Sequence, residues 1–174
     1  MSAEGSLQRG ADRIIHLSVR LRCDAHRAFE MFTVGELIKS WLAPLAEVEP
    51  RLGGKYELFW EPPLREDNST IGCRITALDA DSLLSFEWKG PVQFKQFMNY
   101  ADPLTHVVVF FIPGSEGSTD RTDVHLMHTG WRSSAEWEEA RRWFEVSWRG
   151  AFTELSNQVN GVAVGSTPSR VDKA

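Results

Sequence analysis

The chain has 174 residues, enough for one domain whose core needs no disulfide or metal ion. Its net charge of −5 argues against binding to nucleic acid or to an anionic membrane surface. No segment approaches the roughly 18 apolar residues of a membrane-spanning helix, and residues 1–12 lack the apolar centre of a signal peptide. Cys23 and Cys73 lie far apart in sequence, which favours free thiols in a reducing compartment. We therefore expect a cytoplasmic domain that binds neither nucleic acid nor membranes.

Aromatic residues are abundant, with seven Trp and ten Phe. A large hydrophobic core would account for them, and so would a cavity lined by aromatic rings. No set of His, Cys, Asp or Glu has the sequence spacing of a metal site, so we expect neither a metal nor another cofactor. The composition leaves both interpretations of the aromatic residues open.

The first part of the chain predicts one strand followed by two short helices. Apolar and polar residues alternate over residues 13–22, which is typical of a strand with one buried face. Asp24 is placed to cap a first short helix. Residues 34–42 predict a second short helix, which Pro44 prevents from continuing.

From residue 46 onwards, apolar residues recur mostly with a period of two, which indicates β-strands. Segments rich in Gly, Pro, Asp and Ser separate them and predict turns and loops. The predicted strands are residues 46–49, 55–60, 70–78, 83–88, 105–112 and 121–129. Together with the first strand they make about six or seven strands, mostly antiparallel.

Residues 133–161 predict one long amphipathic helix. Ser133 and Glu136 stand at capping-box spacing at its start, and Asn160-Gly161 supplies a stop. Apolar residues at steps of three and four form one stripe: Trp137, Ala140, Phe144, Trp148, Ala151, Leu155 and Val159. Acid–base pairs four residues apart lie opposite the stripe: Glu138–Arg142 and Glu145–Arg149. The apolar stripe requires a broad surface to pack against.

The order of elements predicts an α+β fold in which a curved antiparallel sheet of about six or seven strands grips one long C-terminal helix. Two short helices follow the first strand. The domain occupies residues 13–161, and residues 1–12 and 162–174 are expected to be flexible. A sheet that curves away from the helix leaves a space between the two layers, which is a natural ligand pocket.

Six short motifs occur in the order and spacing of a known family. They are Asp24-Ala-His-Arg-Ala-Phe, Ser40-Trp-Leu-Ala-Pro, Leu52-Gly-Gly-Lys-Tyr-Glu-Leu, Ile75-Thr-Ala-Leu, Leu84-Ser-Phe-Glu-Trp and His128-Thr-Gly-Trp. With the helix around Trp143 and Trp148, residues 12–160 resemble homologues of the heat-shock-protein-90 ATPase activator. These belong to the START-related (SRPBCC) helix-grip superfamily, which includes the birch-pollen allergen. The resemblance implies the fold, whereas the superfamily's functions range from lipid carriers and hormone sensors to cyclases and co-chaperone domains.

The parity of residues along the strands and the helix predicts which side chains line the pocket. The candidates are Tyr56, Trp60, Trp88, Phe110, His128, Phe144 and Trp148. The aromatic rings would supply contact area, and Tyr56 and His128 would orient a ligand through hydrogen bonds. We therefore expect the domain to bind a small apolar or aromatic molecule.

Residues 89–104 form a long connection between two strands that a tight hairpin could join. The connection carries Phe94, Phe97 and Tyr100, which could fold over the pocket mouth as a lid. A loop packed on the core, or a subunit interface, would account for the same residues.

Residues 105–112 are apolar on both faces of their strand. The long helix and the pocket can cover only one of these faces. The other face must be covered by the connection 89–104 or by a second subunit, so a homodimer is one expectation.

Two other functions stay open. His128 could act as a general base in a cyclase-like enzyme, but no catalytic pairing stands out in the sequence, and we expect binding rather than catalysis. The resemblance also implies a domain that activates a chaperone ATPase. In the family that function normally involves an additional N-terminal domain, so chaperone binding is the less favoured expectation.

Overall fold

The computed structural model describes residues 13–114 and 120–161. The helices and strands, in chain order, are β1 (Ile15–Leu21), α1 (Ala25–Thr33), α2 (Gly35–Ile38), β2 (Leu45–Val48), β3 (Tyr56–Phe59), β4 (Ile75–Asp79), β5 (Leu83–Trp88), α3 (Lys95–Met98), β6 (Thr105–Pro113), β7 (Thr122–Thr129) and α4 (Ala135–Asn160). A 3₁₀ turn, Val92–Phe94, precedes α3. The predicted flexible segments 1–12 and 162–174 lie outside the described residues.

The strands form two antiparallel sheets. Five of them make a sheet in the order β1-β7-β6-β5-β4, and β2 pairs with β3. Isolated bridges from Lys55 to Arg74 and from Phe59 to Ser69 tie β3 to the chain that leads into β4. The predicted α+β helix-grip fold is confirmed, with its seven strands divided between the two sheets.

Buried and exposed residues alternate in β1 as predicted. Ile15 and Leu21 are buried at its two ends, while His16 is exposed. β1 pairs with β7 in a register that places Leu17 opposite Leu126, so the apolar rows of both strands lie on the same face. This inner face of the sheet is the one that receives α4.

Helix α1 begins as predicted, whereas α2 is shorter than predicted. The Asp24 carboxylate accepts a hydrogen bond from the backbone N–H of Arg27 over 2.7 Å. α2 ends at Ile38, and the chain continues in turns whose N–H groups bond three or four residues back. These turns direct the side chain of Trp41 into the core, where its indole N–H donates to the carbonyl of Met31 over 2.9 Å.

Helix α4 is capped by Ser134, not by Ser133 as predicted. The Ser134 hydroxyl accepts from the backbone N–H of Trp137 over 3.3 Å. Serines occupy both positions, and the sequence spacing to Glu136 favoured the first of them. The one-residue shift leaves the helix in the predicted place.

The buried stripe of α4 differs slightly from the predicted one. Its buried residues are Trp137, Ala140, Phe144, Trp148, Phe152 and Leu155. Phe152 takes the central position that the sequence assigned to Ala151, because it lies four residues after Trp148 on the same helix face. Ala151 and Val159 are partly buried at the margin of the core.

The polar face of α4 carries the two predicted ion pairs. Arg142 Nε lies 3.1 Å from Glu138 Oε1, and Arg149 Nη2 lies 3.0 Å from Glu145 Oε1. Arg141 also bridges the two carboxylates, at 2.7 Å from Glu138 and 3.4 Å from Glu145. The pairs therefore form one network, and its hydrogen bonds from Arg141 lower the pKa of Glu138 to about 2.

In strand β6 the inner face is the opposite of the predicted one: the face with Phe110, which was expected to line the pocket, points outward. Val107, Val109 and Phe111 are buried on the inner face, where Phe111 packs against two phenylalanines of α1. Phe110 is 37% exposed and Ile112 49% exposed on the outer face. Both faces of this strand are apolar, so the period of two predicted the alternation without predicting which face is the inner one.

Candidate functional site

A half-open cleft of about 550 Å³ lies between α4, the turn after α2, and the ends of β3 and β5. Its apolar lining residues are Trp41, Leu42, Trp60, Pro91, Trp88, Trp143, Phe144, Trp148 and Ala151. Its polar lining residues are Glu61, Asn68, Ser69, Lys89, Gln93 and Ser147. The volume is within the range of about 300–1,000 Å³ that is usual for small-molecule sites.

Three tryptophan rings form one wall of the cleft, from its inner end to its rim. Trp88, at the end of β5, lies against Trp148 of α4 with 5.0 Å between ring centroids. Trp60, just after β3, stands edge-on to Trp88 at 5.9 Å. The indole N–H of Trp60 donates to the carbonyl of Leu42 over 2.9 Å, so one hydrogen bond holds this ring against the turn after α2. The three rings therefore present flat apolar surfaces to the cleft.

Two small residues of α4, Ser147 and Gly150, line the cleft. Trp143, Ser147 and Gly150 follow each other at steps of four and three and all line the cleft. A Cβ atom built on Gly150 would meet no heavy atom within 4 Å. The glycine therefore leaves open space in the middle of a long helix, where Gly normally destabilises by about 0.5–1 kcal/mol relative to Ala.

His128 lies behind the cleft and is fully buried. Its Nδ1 accepts a hydrogen bond from the indole N–H of Trp148 over 3.2 Å, so the proton of the neutral imidazole resides on Nε2. That nitrogen lies 3.0 Å from the hydroxyl of Thr105, which in turn donates to the carbonyl of Trp88 over 3.3 Å. His128 thus connects two residues of the cleft wall and uses both of its ring nitrogens.

Burial keeps His128 neutral. Desolvation of the imidazolium, with a smaller contribution from the charge of His106, lowers the pKa of His128 to about 3. An imidazole of this kind is unprotonated at neutral pH, but both nitrogens are occupied and the ring does not line the cleft. Its observed contacts are those of a group that holds Trp148 in position.

The structure brings four of the seven predicted pocket residues together. Trp60, Trp88, Phe144 and Trp148 line the cleft. Tyr56, Phe110 and His128 are placed elsewhere. Tyr56 is fully buried with its hydroxyl donating to the carbonyl of Phe32 over 2.9 Å, and burial raises its pKa. Phe110 lies on the outer face of β6.

The three predicted lid residues do not cover the mouth of the cleft in this structure. Phe94 packs on Trp143 at 5.8 Å between centroids, and Phe97 packs on Trp137 at 5.1 Å. Tyr100 is 77% exposed. Phe94 and Phe97 thus attach the connection 89–104 to the first half of α4.

The beginning of this connection nevertheless forms one rim of the cleft, and residues 61–69 form another. The two rims are tied together. The Lys95 ammonium lies 2.8 Å from the Asp67 carboxylate, and the Asn68 side-chain carbonyl accepts from the backbone N–H of Val92 over 2.9 Å. The rims are therefore linked by a charged pair and by a backbone hydrogen bond.

Most of the other lining residues were not predicted, among them Trp41, Trp143 and Gly150. In the sequence, Trp41 and Trp143 stood out only through the family resemblance. Gly150 was the unusual residue of α4 in the sequence, because a glycine in the middle of a long helix lowers its stability.

The indole nitrogen of Trp88 is an exception among the buried polar atoms of this cleft. It is buried, and the described residues supply no hydrogen-bond acceptor for it. Leaving such a donor unsatisfied costs roughly 1–3 kcal/mol. By contrast, Trp41, Trp60 and Trp148 donate to protein acceptors.

Two classes of site find no support in residues 13–114 and 120–161. No group of three or more His, Cys, Asp or Glu there could hold a metal ion. The helices of this part of the chain include none that is both long and apolar enough to span a membrane.

Among protein families, one model matches most of the chain. The family model described as "Activator of Hsp90 ATPase homolog 1-like protein" matches residues 22–160. No curated protein matches the chain.

Among solved structures, a Mesorhizobium loti protein has a TM-score of 0.67 at 16% identity, over 87% of this chain and 100% of its own. A Plasmodium falciparum protein described as an Hsp90 activator has a TM-score of 0.63 at 20% identity, over 86% and 96%. The Aha1 dimer from Colwellia psychrerythraea has a TM-score of 0.62 at 11% identity, over 84% and 95%. At these identities the likeness shows a shared fold.

Proposed function

The chain belongs to the family of Activator of Hsp90 ATPase homolog 1-like proteins, and we propose that it binds a small, largely apolar molecule in the cleft between α4 and the sheet. The observation that carries this proposal is the lining of the cleft, in which five tryptophans and Phe144 surround a half-open space of about 550 Å³. Flat aromatic walls and a few polar groups at the rim are characteristic of sites for small organic molecules.

The proposal is tested by filling the cleft from α4. Gly150→Leu places an apolar side chain in the open space beside Gly150, and Leu is also the better helix former. The neutral fluorescent probe N-phenylnaphthylamine is titrated into the wild type and the variant. We expect its affinity to fall at least about tenfold, because the leucine occupies volume that the probe needs.

Gly150→Ala is the matched control. It makes the same improvement in helix propensity but adds only one methyl group, so the affinity for the probe should change by less than about threefold. Equal probe binding by the wild type and Gly150→Leu would show that the probe binds elsewhere. Absence of binding by the wild type would remove the proposal.

Catalysis by His128 gains no support from this geometry. The imidazole is enclosed, and its nitrogens are bonded to Trp148 and Thr105. A general base must come within hydrogen-bond distance of the proton that it removes. The contact that His128 makes with the cleft wall is its hydrogen bond from Trp148.

A second candidate function is stimulation of a chaperone ATPase. The family description and the similarity to the Plasmodium falciparum activator favour this candidate. A coupled ATPase assay with a chaperone of the Hsp90 class tests it: stimulation by this chain would support it. Stimulation that survives Gly150→Leu would separate this activity from ligand binding in the cleft.

We also propose that the chain forms a homodimer through the outer face of the five-stranded sheet. Phe110 and Ile112 are exposed there, and Val108 is partly exposed beside them. The aromatics of the connection 89–104 pack on α4 and so leave this face to another partner. The Colwellia psychrerythraea structure described as a dimer has the same fold, which supports a second copy as that partner.

A further inference from the structure

The buried indole N–H of Trp88 makes no hydrogen bond within the described residues. The nitrogen is a donor only, and no acceptor for it lies among residues 13–114 and 120–161. Three other tryptophans of the lining have their N–H groups bonded to protein acceptors. In native proteins nearly all buried donors are paired with protein atoms or ordered water, so an unpaired donor requires an explanation.

We propose that Trp88 is the residue that selects the ligand, by donating its indole N–H to an acceptor oxygen of a neutral, flat, mainly apolar molecule. The inference rests on the proposed function, since it concerns the same cleft. The ligand class is that of aromatic or polycyclic compounds with one carbonyl-type oxygen directed toward β5.

The position of Trp88 supports a flat ligand. Its side chain is only 3% exposed and lies at the inner end of the cleft, with Trp148 at 5.0 Å and Trp60 at 5.9 Å between ring centroids. The Trp88 ring is inclined by 44° to Trp148 and by 71° to Trp60, so a flat molecule can lie along one of these rings with its edge directed at the N–H. Apolar surface then covers most of the ligand, and a single polar group fixes its orientation.

The charged residues of the lining support a neutral ligand. Lys89 is the positively charged residue among those that line the cleft. Its ammonium donates a hydrogen bond of 2.6 Å to the carbonyl of Ile71, which lies outside the lining. Glu61 is exposed at the rim and would repel an anion. The cleft therefore offers an anionic group little attraction, whereas a carbonyl oxygen needs only the donor that Trp88 supplies.

Access to the N–H requires one ring to move. The rings that contact Trp88 belong to Trp60, Phe86, His128 and Trp148. Trp60 is 36% exposed at the rim, and the other three are buried. We therefore assign Trp60 as the ring that shifts when a ligand enters, which breaks its hydrogen bond to the Leu42 carbonyl, while Trp148 stays buried and bonded to His128.

The test uses two neutral probes of nearly equal shape, fluorenone and fluorene, of which only fluorenone carries a carbonyl oxygen. Fluorene is the more hydrophobic and would bind more tightly to a purely apolar cleft. In the wild type we expect fluorenone to bind about three- to tenfold more tightly than fluorene, the range for one net hydrogen bond. In Trp88→Phe this preference should disappear or reverse.

Trp60→Phe is the matched control. It replaces another indole ring of the cleft by a smaller aromatic ring, and the N–H that it removes is already bonded to the Leu42 carbonyl. It should weaken both probes and keep the preference for fluorenone. If Trp88→Phe also keeps the preference, the donor role of Trp88 is wrong while the cleft stands. If neither probe binds to the wild type, the proposed binding function itself fails.

A measurement on the wild type makes the test independent of how well Trp88→Phe folds. The indole N–H proton of Trp88 is observed by ¹H–¹⁵N NMR and assigned by its absence in Trp88→Phe or by sequential assignment. Fluorenone should move this resonance downfield, and fluorene should not, because only the first offers an acceptor. Equal shifts with the two probes would overturn the inference.

Discussion

Trp148 donates its indole N–H to Nδ1 of His128 over 3.2 Å, and this bond links the buried strand β7 to the wall of the cleft. It settles the tautomer of the imidazole and the orientation of a ring that a ligand would touch. The Nε2 side of His128 continues through Thr105 to the backbone of Trp88. One buried histidine therefore holds the Trp148 ring and is linked through Thr105 to the backbone of the residue that carries the other large ring.

The first prediction concerns pH. His128 is protonated near pH 6.5 in the unfolded chain, whereas burial lowers its pKa to about 3 in the folded protein. Between these values the unfolded state binds more protons, so stability must fall as the pH falls. We expect the free energy of unfolding to lose up to about 1.4 kcal/mol per pH unit from this residue between about pH 6.5 and pH 3.

The measurement is chemical denaturation of the wild type and His128→Asn over this pH range. Carboxylates titrate in both proteins, so the difference between the two curves isolates the histidine. The two curves should run parallel above pH 6.5 and converge below it. Parallel curves throughout would mean that the imidazole charges in the folded protein without penalty.

The second prediction compares the two faces of α4. Trp148→Ala should lower the free energy of unfolding by on the order of 3–5 kcal/mol, because it removes a buried aromatic ring. It also leaves Nδ1 of His128 without its donor. Glu138→Ala should cost no more than about 1 kcal/mol, since its ion pairs with Arg141 and Arg142 lie at the surface. Thermal or chemical unfolding measures both, and similar losses would contradict the assignment of the helix faces.

The third prediction concerns the rims of the cleft. The Lys95–Asp67 pair and the bond from Val92 N–H to Asn68 connect residues 61–69 with the connection 89–104. Hydrogen exchange at residues 61–69 and 89–93 should therefore slow together when N-phenylnaphthylamine binds. Lys95→Met should weaken this shared response while leaving the exchange of β6 and β7 unchanged. Protection of one rim alone in the wild type would show that the two rims move independently.

The fourth prediction concerns assembly. If the outer face of β6 joins two copies, the wild type should sediment as a dimer at tens of micromolar. Phe110→Lys should shift it to a monomer, because a charge replaces an apolar ring at the centre of the exposed patch. Val146→Lys on α4 is the control, since Val146 is equally apolar and 72% exposed but lies on another surface. A wild-type monomer, or a dimer unaffected by Phe110→Lys, would contradict the proposed interface.

The fold could be predicted because two patterns in the sequence are strong: the period of two in the strands and the steps of three and four in the long helix. The alternation in β1 and the stripe of α4 each bury the predicted face, and Asp24 caps α1 as its position indicates. These features depend on neighbours within one element, which is the information that a periodicity contains.

The site was harder to predict because it depends on which faces meet. Phe110 has the same apolar character as Phe111, and only tertiary packing decides that Phe111 is the buried one. His128 was assigned to the inner face, where it lies, but its parity could not show that Trp148 and Thr105 would enclose it. Phe94 and Phe97 were recognised as an apolar connection, while their contacts with α4 follow from long-range geometry.

The most direct test of ligand binding in the cleft uses the indole N–H signals of the seven tryptophans. Trp41, Trp60, Trp88, Trp143 and Trp148 line the cleft, whereas Trp131 and Trp137 lie outside its lining. Titration with N-phenylnaphthylamine, followed by ¹H–¹⁵N NMR, should shift signals from the first group and leave those of Trp131 and Trp137 in place. Shifts confined to Trp131 and Trp137, or no shifts at saturating probe, would contradict binding in this cleft.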